Sequence, residues 1–216
     1  MGKAIKLFLR YIYYGFLGKF DLVKSNTGKL VDYLYLKYYG IETHFGYVKL
    51  LGFPIVHKAP GSRIIIGKNV TLVSDAKHNI AGINHSVILA TLTSSAIIKI
   101  GDGSGCSGSV LCAVKSIDIG KHVALGANCK IYDSDFHPVQ PGKRLNQSSI
   151  LDAKSAPVTI ADHVWISEGA LVLKGVEMGF GSVLSAKSVL TVNAKPLSVY
   201  VGNPAIFVRE IFNDIA

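Results

Sequence analysis

The sequence contains few cysteines, no long apolar run and few acidic residues. Its three cysteines, at positions 106, 112 and 129, form no C-x-x-C pair, so we expect them to serve as small apolar side chains in a reducing cytoplasm. No stretch approaches the roughly 18 consecutive apolar residues of a membrane span. Only 14 residues are acidic against 23 lysines and arginines, which gives a net charge of +9. Basic charge alone, without a recognisable reading element, does not indicate nucleic-acid binding.

The first forty residues are basic and aromatic. They carry seven lysines and arginines against two aspartates, and seven of the ten tyrosines. The stretch LFLRYIYYGF has neither the uninterrupted apolar core nor the cleavage site of a secretory signal, so we expect it on the mature protein. We predict two short helices, at about 4–17 and 27–39. They could cover the open end of a solenoid or extend a subunit interface, dock on an anionic membrane or, with least support, bind nucleic acid.

Towards the C-terminus, an aliphatic residue recurs every six positions. The series is Ile160, Ile166, Val172, Met178, Leu184 and Leu190, and small or β-branched residues stand four positions after the first five members, at Val164, Ala170, Val176, Ser182 and Ser188. A period of six fits neither a helix nor a simple alternation of two. It is typical of a solenoid of short parallel strands with six residues on each of three sides. The sequence therefore predicts a left-handed parallel β-helix.

The same spacing extends upstream, less regularly. Ile119, Leu125 and Ile131 continue it, with Val123, Cys129 and Asp135 as companions, and a run one residue out of phase contains Ile100, Cys106 and Cys112. Residues 74–97 show no clear register. We therefore divide the chain into an N-terminal helical, aromatic and basic segment (1–60), a β-helix (61–205) with a loop excursion (132–159), and a C-terminal tail (206–216).

The excursion is a polar interruption of a regular scaffold, and loops on rigid scaffolds often carry function. It contains His137 within DSDFHP, followed by Lys143 and Arg144. An imidazole with a pKa near neutrality is suited to general base catalysis. A lone loop histidine is usually a plain surface residue, and the two cations can equally be a solvated loop tip.

Four segments together resemble the hexapeptide-repeat acyltransferases, and within them the sugar and polysaccharide O-acetyltransferases. They are DSDFHPV, GKRLN, VTIADHVWISEGALVLKGV and SVYVGNPAIFV, in the family's order, over roughly residues 98–209. The resemblance implies a homotrimer with active sites between neighbouring β-helices, acetyl-CoA as co-substrate and no metal. We expect transfer to a sugar hydroxyl of a surface polysaccharide or its precursor, in the cytoplasm. A contact of the N-terminal segment with the inner face of the cell membrane stays one of the alternatives given above for that segment.

The resemblance also assigns residues. His137 is the expected general base, Trp165 borders the acyl group and acceptor, and Asp135 fixes the loop or orients the imidazole, while Asp133 could cap the turn. Lys143 and Arg144 are candidates for an anionic acceptor or a coenzyme phosphate. The coenzyme is expected along the last coils, at Ser185, Ala186, Lys187, Lys195 and Arg209. Departures from the family pattern affect these coenzyme assignments more than His137; they are Ser167, the LSAKS segment and Ile206.

Other functions of this fold agree less well with the sequence. A γ-class carbonic anhydrase needs three metal-binding histidines, two of them five residues apart, and none of the seven histidines has that spacing; they are at 44, 57, 78, 85, 122, 137 and 163. We expect His122 and His163 to face outward near coil corners. A β-helix nucleotidyltransferase needs a large nucleotide-binding domain before the repeats, where about 60 residues stand here. Two alternatives stay open: an N-acetyltransferase of an amino sugar or sugar nucleotide, and a non-catalytic scaffold, which would not need the His137 loop.

Overall fold

The computed structural model describes residues 26–145 and 150–214. Short strands follow one another around a three-sided prism, and each pairs in parallel with the strands one coil away. Sheet A contains β3 (Arg63–Ile66), β6 (Ile97–Ile100), β9 (Ser116–Ile119), β12 (Val158–Ile160) and β15 (Glu177–Met178). Sheet C contains β2 (Ile55–Lys58), β5 (Ile88–Thr91), β8 (Val110–Ala113), β11 (Lys130–Tyr132), β14 (Leu171–Val172) and β17 (Val189–Leu190).

Sheet B is the longest of the three and includes the C-terminal hairpin. Its strands are β1 (Val48–Leu51), β4 (Val70–Val73), β7 (Gly105–Ser107), β10 (Ala124–Leu125), β13 (Trp165–Ile166), β16 (Val183–Leu184), β18 (Ser198–Gly202) and β19 (Ala205–Glu210). The last two strands are antiparallel. Helix α1 (Asn26–Tyr38) precedes the coils, and the short helix α2 (Pro141–Leu145) lies in the excursion. The left-handed parallel β-helix predicted from the six-residue period is confirmed.

The core consists of three columns of stacked side chains, one for each sheet. The sheet A column is Ile66, Ile100, Ile119, Ile160 and Met178; the sheet B column is Leu50, Leu72, Cys106, Leu125, Ile166, Leu184 and Tyr200; the sheet C column is Val56, Leu89, Leu111, Ile131, Val172 and Leu190. The predicted C-terminal series and its companions are all buried. Burying one such aliphatic side chain contributes about 1.5–3 kcal/mol, so every coil adds its own share of stability.

The sheet C column corrects one prediction. Leu111, and not Cys112, lies in register with Ile131, because the corner after Cys106 is one residue shorter than the corner between Leu125 and Ile131. Gly108 makes this turn at a φ of 53°, and a Cβ there would lie 2.8 Å from the Cβ of Ile83. Cys112 therefore faces outward beside Tyr132, although it remains covered.

The three cysteines are free and buried. Cys106 and Cys129 occupy the interior, as predicted for small apolar side chains. Burial raises the pKa of the Cys112 and Cys129 thiols to about 11. Both thiols are therefore protonated and poorly nucleophilic at neutral pH.

Helix α1 covers the first coil. The ring of Tyr35 stacks on Phe53 at a centroid distance of 4.2 Å, and its hydroxyl donates to the carbonyl of Pro54 at 2.7 Å. Asp32 Oδ2 accepts the N–H of Leu50, which lies on the edge strand β1, at 3.1 Å. The helix predicted at 27–39 is thus confirmed, with a covering role; the helix predicted at 4–17 lies outside the described residues.

The boundaries of the β-helix differ from the sequence prediction at both ends. The first coil begins at Val48, which pairs with Val70, rather than at residue 61. At the other end, residues 205–210 form a strand instead of a tail. The His137 excursion lies between Tyr132 and Val158, close to its predicted bounds.

A second excursion, residues 74–87, explains why the sequence shows no register there. It contains a 3-10 helix (Ala76–His78) and leaves the corner between sheets B and C. The amide oxygen of Asn128 accepts the N–H of Asn84 at 2.8 Å, and its Nδ2 donates to the carbonyl of Gly82 at 3.0 Å. A single side chain on a later coil thus holds the loop.

Within the described part of the chain, no helix is long and apolar enough to cross a bilayer.

The buried carboxyl of Asp32 leads to a prediction about pH and stability. Burial raises its pKa from 3.8 to about 7, against the lowering effects of the Leu50 N–H and the Lys49 ammonium. The folded chain therefore keeps a proton that the unfolded chain releases, and the free energy of unfolding should fall as pH rises from about 4 to about 7. The slope from this group is at most about 1.4 kcal/mol per pH unit.

Asp32→Asn retains an oxygen that can accept the Leu50 N–H and removes the titration. Denaturant unfolding between pH 4.5 and 7.5 should therefore show a flatter pH dependence for this variant than for the wild type. Asp118→Asn, at a half-exposed carboxylate, is the matched control. An unchanged slope in Asp32→Asn would contradict the assignment.

Candidate active site

The excursion of residues 133–157 leaves the solenoid at the corner between sheets C and A. At its root, the fully buried Asp133 accepts the N–H groups of Val114 at 2.7 Å and Lys115 at 2.6 Å, both from the preceding coil. Burial raises the pKa of Asp133, and these backbone donors oppose that effect. Asp133 therefore caps the corner, as the sequence analysis suggested, and anchors the start of the excursion.

The two arms of the excursion form a short neck. Ser134 and Ser155 make an antiparallel bridge, and the N–H of Asp135 donates to the carbonyl of Lys154 at 3.0 Å. Ala156 then connects the neck to the next coil, because its carbonyl accepts the N–H of Gly175 at 3.1 Å. The excursion is consequently bonded to the coils on both of its sides.

A half-buried ion pair strengthens this neck. Lys174 Nζ lies 2.5 Å from Asp135 Oδ1, and the two side chains are 28% and 30% exposed. The formally inward position predicted for Asp135 is wrong, because the chain has already left the coil at Asp133. Of the two roles predicted for Asp135, the contact supports fixing the loop and not orienting the imidazole. Lys174 was missed by sequence reasoning, since it lies 39 residues away along the chain.

His137 lies beyond the neck and is exposed. The preceding residue, Phe136, has a φ of 63°. Its N–H donates to Ser134 Oγ at 3.1 Å, and its ring packs edge-on against Tyr132. No residue of the described ranges forms a hydrogen bond with the imidazole. The predicted cations Lys143 and Arg144 are also exposed, on α2. The imidazole therefore sits on a well-anchored loop with both nitrogens available to a substrate.

Trp165 lies elsewhere, on the outer face of sheet B, where it is 53% exposed. It is in register with Val183 and, through β16, with Val199. Arg209 of β19 pairs with Val199, and Lys195 is exposed just before β18. Trp165 and two of the predicted coenzyme cations therefore share one side of the last coils.

The predicted coenzyme turn, residues 185–187, follows β16 and lies at the corner between sheets B and C. The N–H of Ser185 donates to the carbonyl of Tyr200 at 3.0 Å, and the N–H of Lys187 donates to the carbonyl of Glu168 at 2.9 Å. The Lys187 ammonium also pairs with the Glu168 carboxylate at 2.7 Å, a contact that the sequence did not indicate. Among the described residues, the N–H of Ala186 has no acceptor. This exposed N–H is therefore free to donate to solvent or to a ligand.

The predicted site residues form two groups. His137, Asp135, Lys143 and Arg144 belong to the excursion at the corner of sheets C and A, whereas Trp165 and the coenzyme candidates lie on sheet B or at its two corners. Sheet A lies between His137 and Trp165, and one prism side of six residues spans on the order of 15–20 Å. In the described ranges, no contact within one chain joins His137 to Trp165.

His122 and His163 face outward at the corner of sheets A and B, as predicted. Both have a positive φ, and their rings stack at a centroid distance of 5.1 Å on successive coils. Across residues 26–145 and 150–214, no group of three His, Cys, Asp or Glu side chains is arranged to hold a metal ion.

Comparisons with known proteins agree with the fold described above. No family model matches the chain. A protein of Schizosaccharomyces pombe that is provisionally named an acetyltransferase is 37% identical over 101 residues, which is 47% of this chain and 46% of that protein. The chain spans about half the length of the curated relatives it matches.

Two solved structures share the fold. The polySia-specific acetyltransferase NeuO has a TM-score of 0.58 and 18% identity, over 78% of this chain and 71% of its own. The N-acyltransferase AntD from Bacillus cereus, solved with dTDP and 3-hydroxybutyryl-CoA, has a TM-score of 0.55 and 15% identity, over 82% and 87%. In its repeats and in its left-handed parallel β-helix, the chain resembles the hexapeptide-repeat acyltransferases.

Proposed function

We propose that the chain is an acetyl-CoA-dependent O-acetyltransferase that acts on a sugar hydroxyl of a surface polysaccharide or its precursor. The observation that carries this proposal is the exposed imidazole of His137 on an excursion bonded to two coils of a rigid solenoid. The resemblance of the repeats to proteins named acetyltransferases supports the reaction class. A scaffold would need neither the anchored loop nor an available imidazole at its tip.

In the proposed reaction, His137 accepts the proton of the acceptor hydroxyl while that oxygen attacks the thioester carbonyl. A sugar hydroxyl is a weak nucleophile at neutral pH, and a positioned base contributes about 10²–10⁴ in rate. The new C–O bond replaces the C–S bond, and the proton leaves with the coenzyme thiol. Backbone N–H groups stabilise the oxyanion.

The residues of sheet B suit the coenzyme. The N–H of Ala186 can donate to the pantetheine arm, while Lys195 and Arg209 are exposed cations on the same last coils and can pair with phosphates. Lys187 is already paired with Glu168, so its contribution to phosphate binding would require release from that partner. Acetyl-CoA is a co-substrate in this proposal and supplies the activated acetyl group.

We further propose that the complete site needs two chains of a homotrimer. His137 and Trp165 lie at opposite ends of the prism side formed by sheet A, too far apart to contact one substrate within a single chain. A cyclic arrangement brings the excursion of one chain to sheet B of its neighbour and creates three equivalent clefts. Trp165 would then form a wall of the cleft and donate its indole N–H.

Transfer to the amine of an amino sugar or sugar nucleotide is the second candidate. The fold neighbour AntD is an N-acyltransferase whose structure contains dTDP, and a histidine base serves either acceptor. The two reactions differ in their product: hydroxylamine cleaves an acetyl ester and leaves an acetamide intact. The Lys143 and Arg144 pair on α2 would favour an anionic acceptor in both cases.

Replacing His137 should remove most of the activity. We expect His137→Ala to lower thiol release from acetyl-CoA by about 10²–10⁴ with the acceptor that the wild type uses, while acetyl-CoA binding is retained. The acceptor panel consists of sugars, oligosaccharides and amino-sugar nucleotides, and hydroxylamine treatment of the product distinguishes ester from amide.

The matched control is His57→Ala, an exposed histidine on β2 of the same sheet C, three strands away from β11. It should retain wild-type activity. Full activity of His137→Ala would refute the base assignment. An amide product would show that the acceptor is an amine and not a hydroxyl. If the wild type transfers acetyl to no acceptor of the panel, the result would favour a non-catalytic scaffold.

The ion pair of Asp135 and Lys174 should affect catalysis through the position of the loop. Lys174→Met leaves a half-buried carboxylate without its cation, so the His137 loop loses one of its anchors. We expect kcat to fall about tenfold or more, because small displacements of a catalytic group are costly, with an unchanged KM for acetyl-CoA. The exchanged pair, Asp135→Lys with Lys174→Asp, should recover part of the loss.

The control for this pair is Lys99→Met, which breaks the exposed ion pair with Asp118 on neighbouring strands of sheet A. Its activity should be unchanged, since exposed pairs contribute little. A Lys174→Met enzyme with wild-type kcat would show that the ion pair does not position the loop.

A further inference from the structure

The outer face of helix α1 exposes large apolar side chains. Its inner face buries Val31, Tyr35 and Leu36 against the first coil. On the outer face, Leu30 and Leu34 are one turn apart and 46% exposed each. Phe45, which is 52% exposed, extends this apolar surface, because its ring packs edge-on against Tyr33 of the same helix at 5.9 Å.

Basic side chains frame this surface. Lys29 and Lys37 are exposed on α1, on either side of the two leucines in sequence, and Lys37 Nζ lies 5.6 Å from the centre of the Tyr33 ring. Residues 26–60 contain four lysines and two acidic residues. Of those acids, Asp32 is buried under the helix and Glu42 is paired with Arg63 at 2.6 Å. The exposed charge of this end of the solenoid is therefore positive.

We propose that this end surface, formed by Leu30, Leu34, Phe45, Lys29 and Lys37, docks on an anionic lipid bilayer. Apolar side chains flanked by lysines on one helix face are suited to the headgroup region, where the apolar groups enter the acyl boundary and the ammonium groups meet phosphates. Charge complementarity distinguishes this partner from a second copy of the chain, whose identical basic surface would repel it.

The sequence before the helix has the same character. Residues 1–25 contain five lysines and arginines, one aspartate and three tyrosines, so the chain leading to the end surface adds positive charge. The surface lies at the end of the prism, whereas His137 lies on its side. Docking by the end would leave the excursion open to an acceptor near the membrane. The proposal goes beyond the acetyl transfer proposed above and does not depend on it.

The test is sedimentation of the full-length protein with vesicles of phosphatidylcholine alone and of phosphatidylcholine with phosphatidylglycerol. The wild type should bind the anionic vesicles, less strongly at high salt, and not the neutral ones. The double variant Leu30→Ser with Leu34→Ser should bind at least about tenfold more weakly. So should Lys29→Glu with Lys37→Glu, whose exposed positions leave the packing of α1 intact.

The matched control is Ile206→Ser with Val208→Ser on β19, which removes two apolar side chains that are even more exposed, 66% and 54%, at the other end of the molecule. It should bind like the wild type. A wild type that fails to sediment with anionic vesicles would overturn the proposal. Unchanged binding by both α1 variants would also overturn it, because docking would then depend on other residues. A third contrary result is a protein that does not bind vesicles and whose oligomeric state changes on substitution, because the surface would then be a contact between chains. None of these outcomes depends on acetyl transfer.

Discussion

The stacking of one inward side chain per side on the next coil is the constraint on which the rest of this structure depends. Columns such as Ile119, Ile160 and Met178 stay aligned only if each strand keeps its register on the strand of the next coil, whatever the length of the corners between strands. A shift of one position would turn an outward residue inward and unpair both neighbouring coils. The solenoid therefore tolerates change at its corners and not along its sides, and both excursions leave the prism at corners.

The proposed chemistry depends on this rigidity. The His137 loop is bonded to the coil before it through Asp133 and to the coil after it through Lys174 and Gly175. Because both coils are fixed by the core, an exposed loop acquires the fixed position that a general base needs. The outer face of sheet B is equally fixed, so the geometry of a cleft between two chains would be set by how the prisms pack and not by loop motion.

The sequence was sufficient for the parts that repeat and for single motifs. The period of six predicted the fold, and DSDFHP indicated the loop. It could not predict that Gly108 shortens a corner and turns Cys112 outward, since one missing residue is invisible where the period is already irregular. It could not pair Asp135 with Lys174 or Asn84 with Asn128 either. Those contacts depend on which residues meet on successive coils, and the intervening loops conceal that register.

The central claim is that the base and the acyl-binding wall come from different chains, and subunit mixing tests it most directly. His137→Ala and Trp165→Ala, each expected to be strongly impaired alone, are co-expressed with different tags, and trimers carrying both tags are purified. If each cleft uses His137 of one chain and Trp165 of the next, one cleft in every mixed trimer is intact, and about a third of wild-type activity should return. Mixed trimers with no more activity than the single variants would contradict the claim and place both groups in one chain.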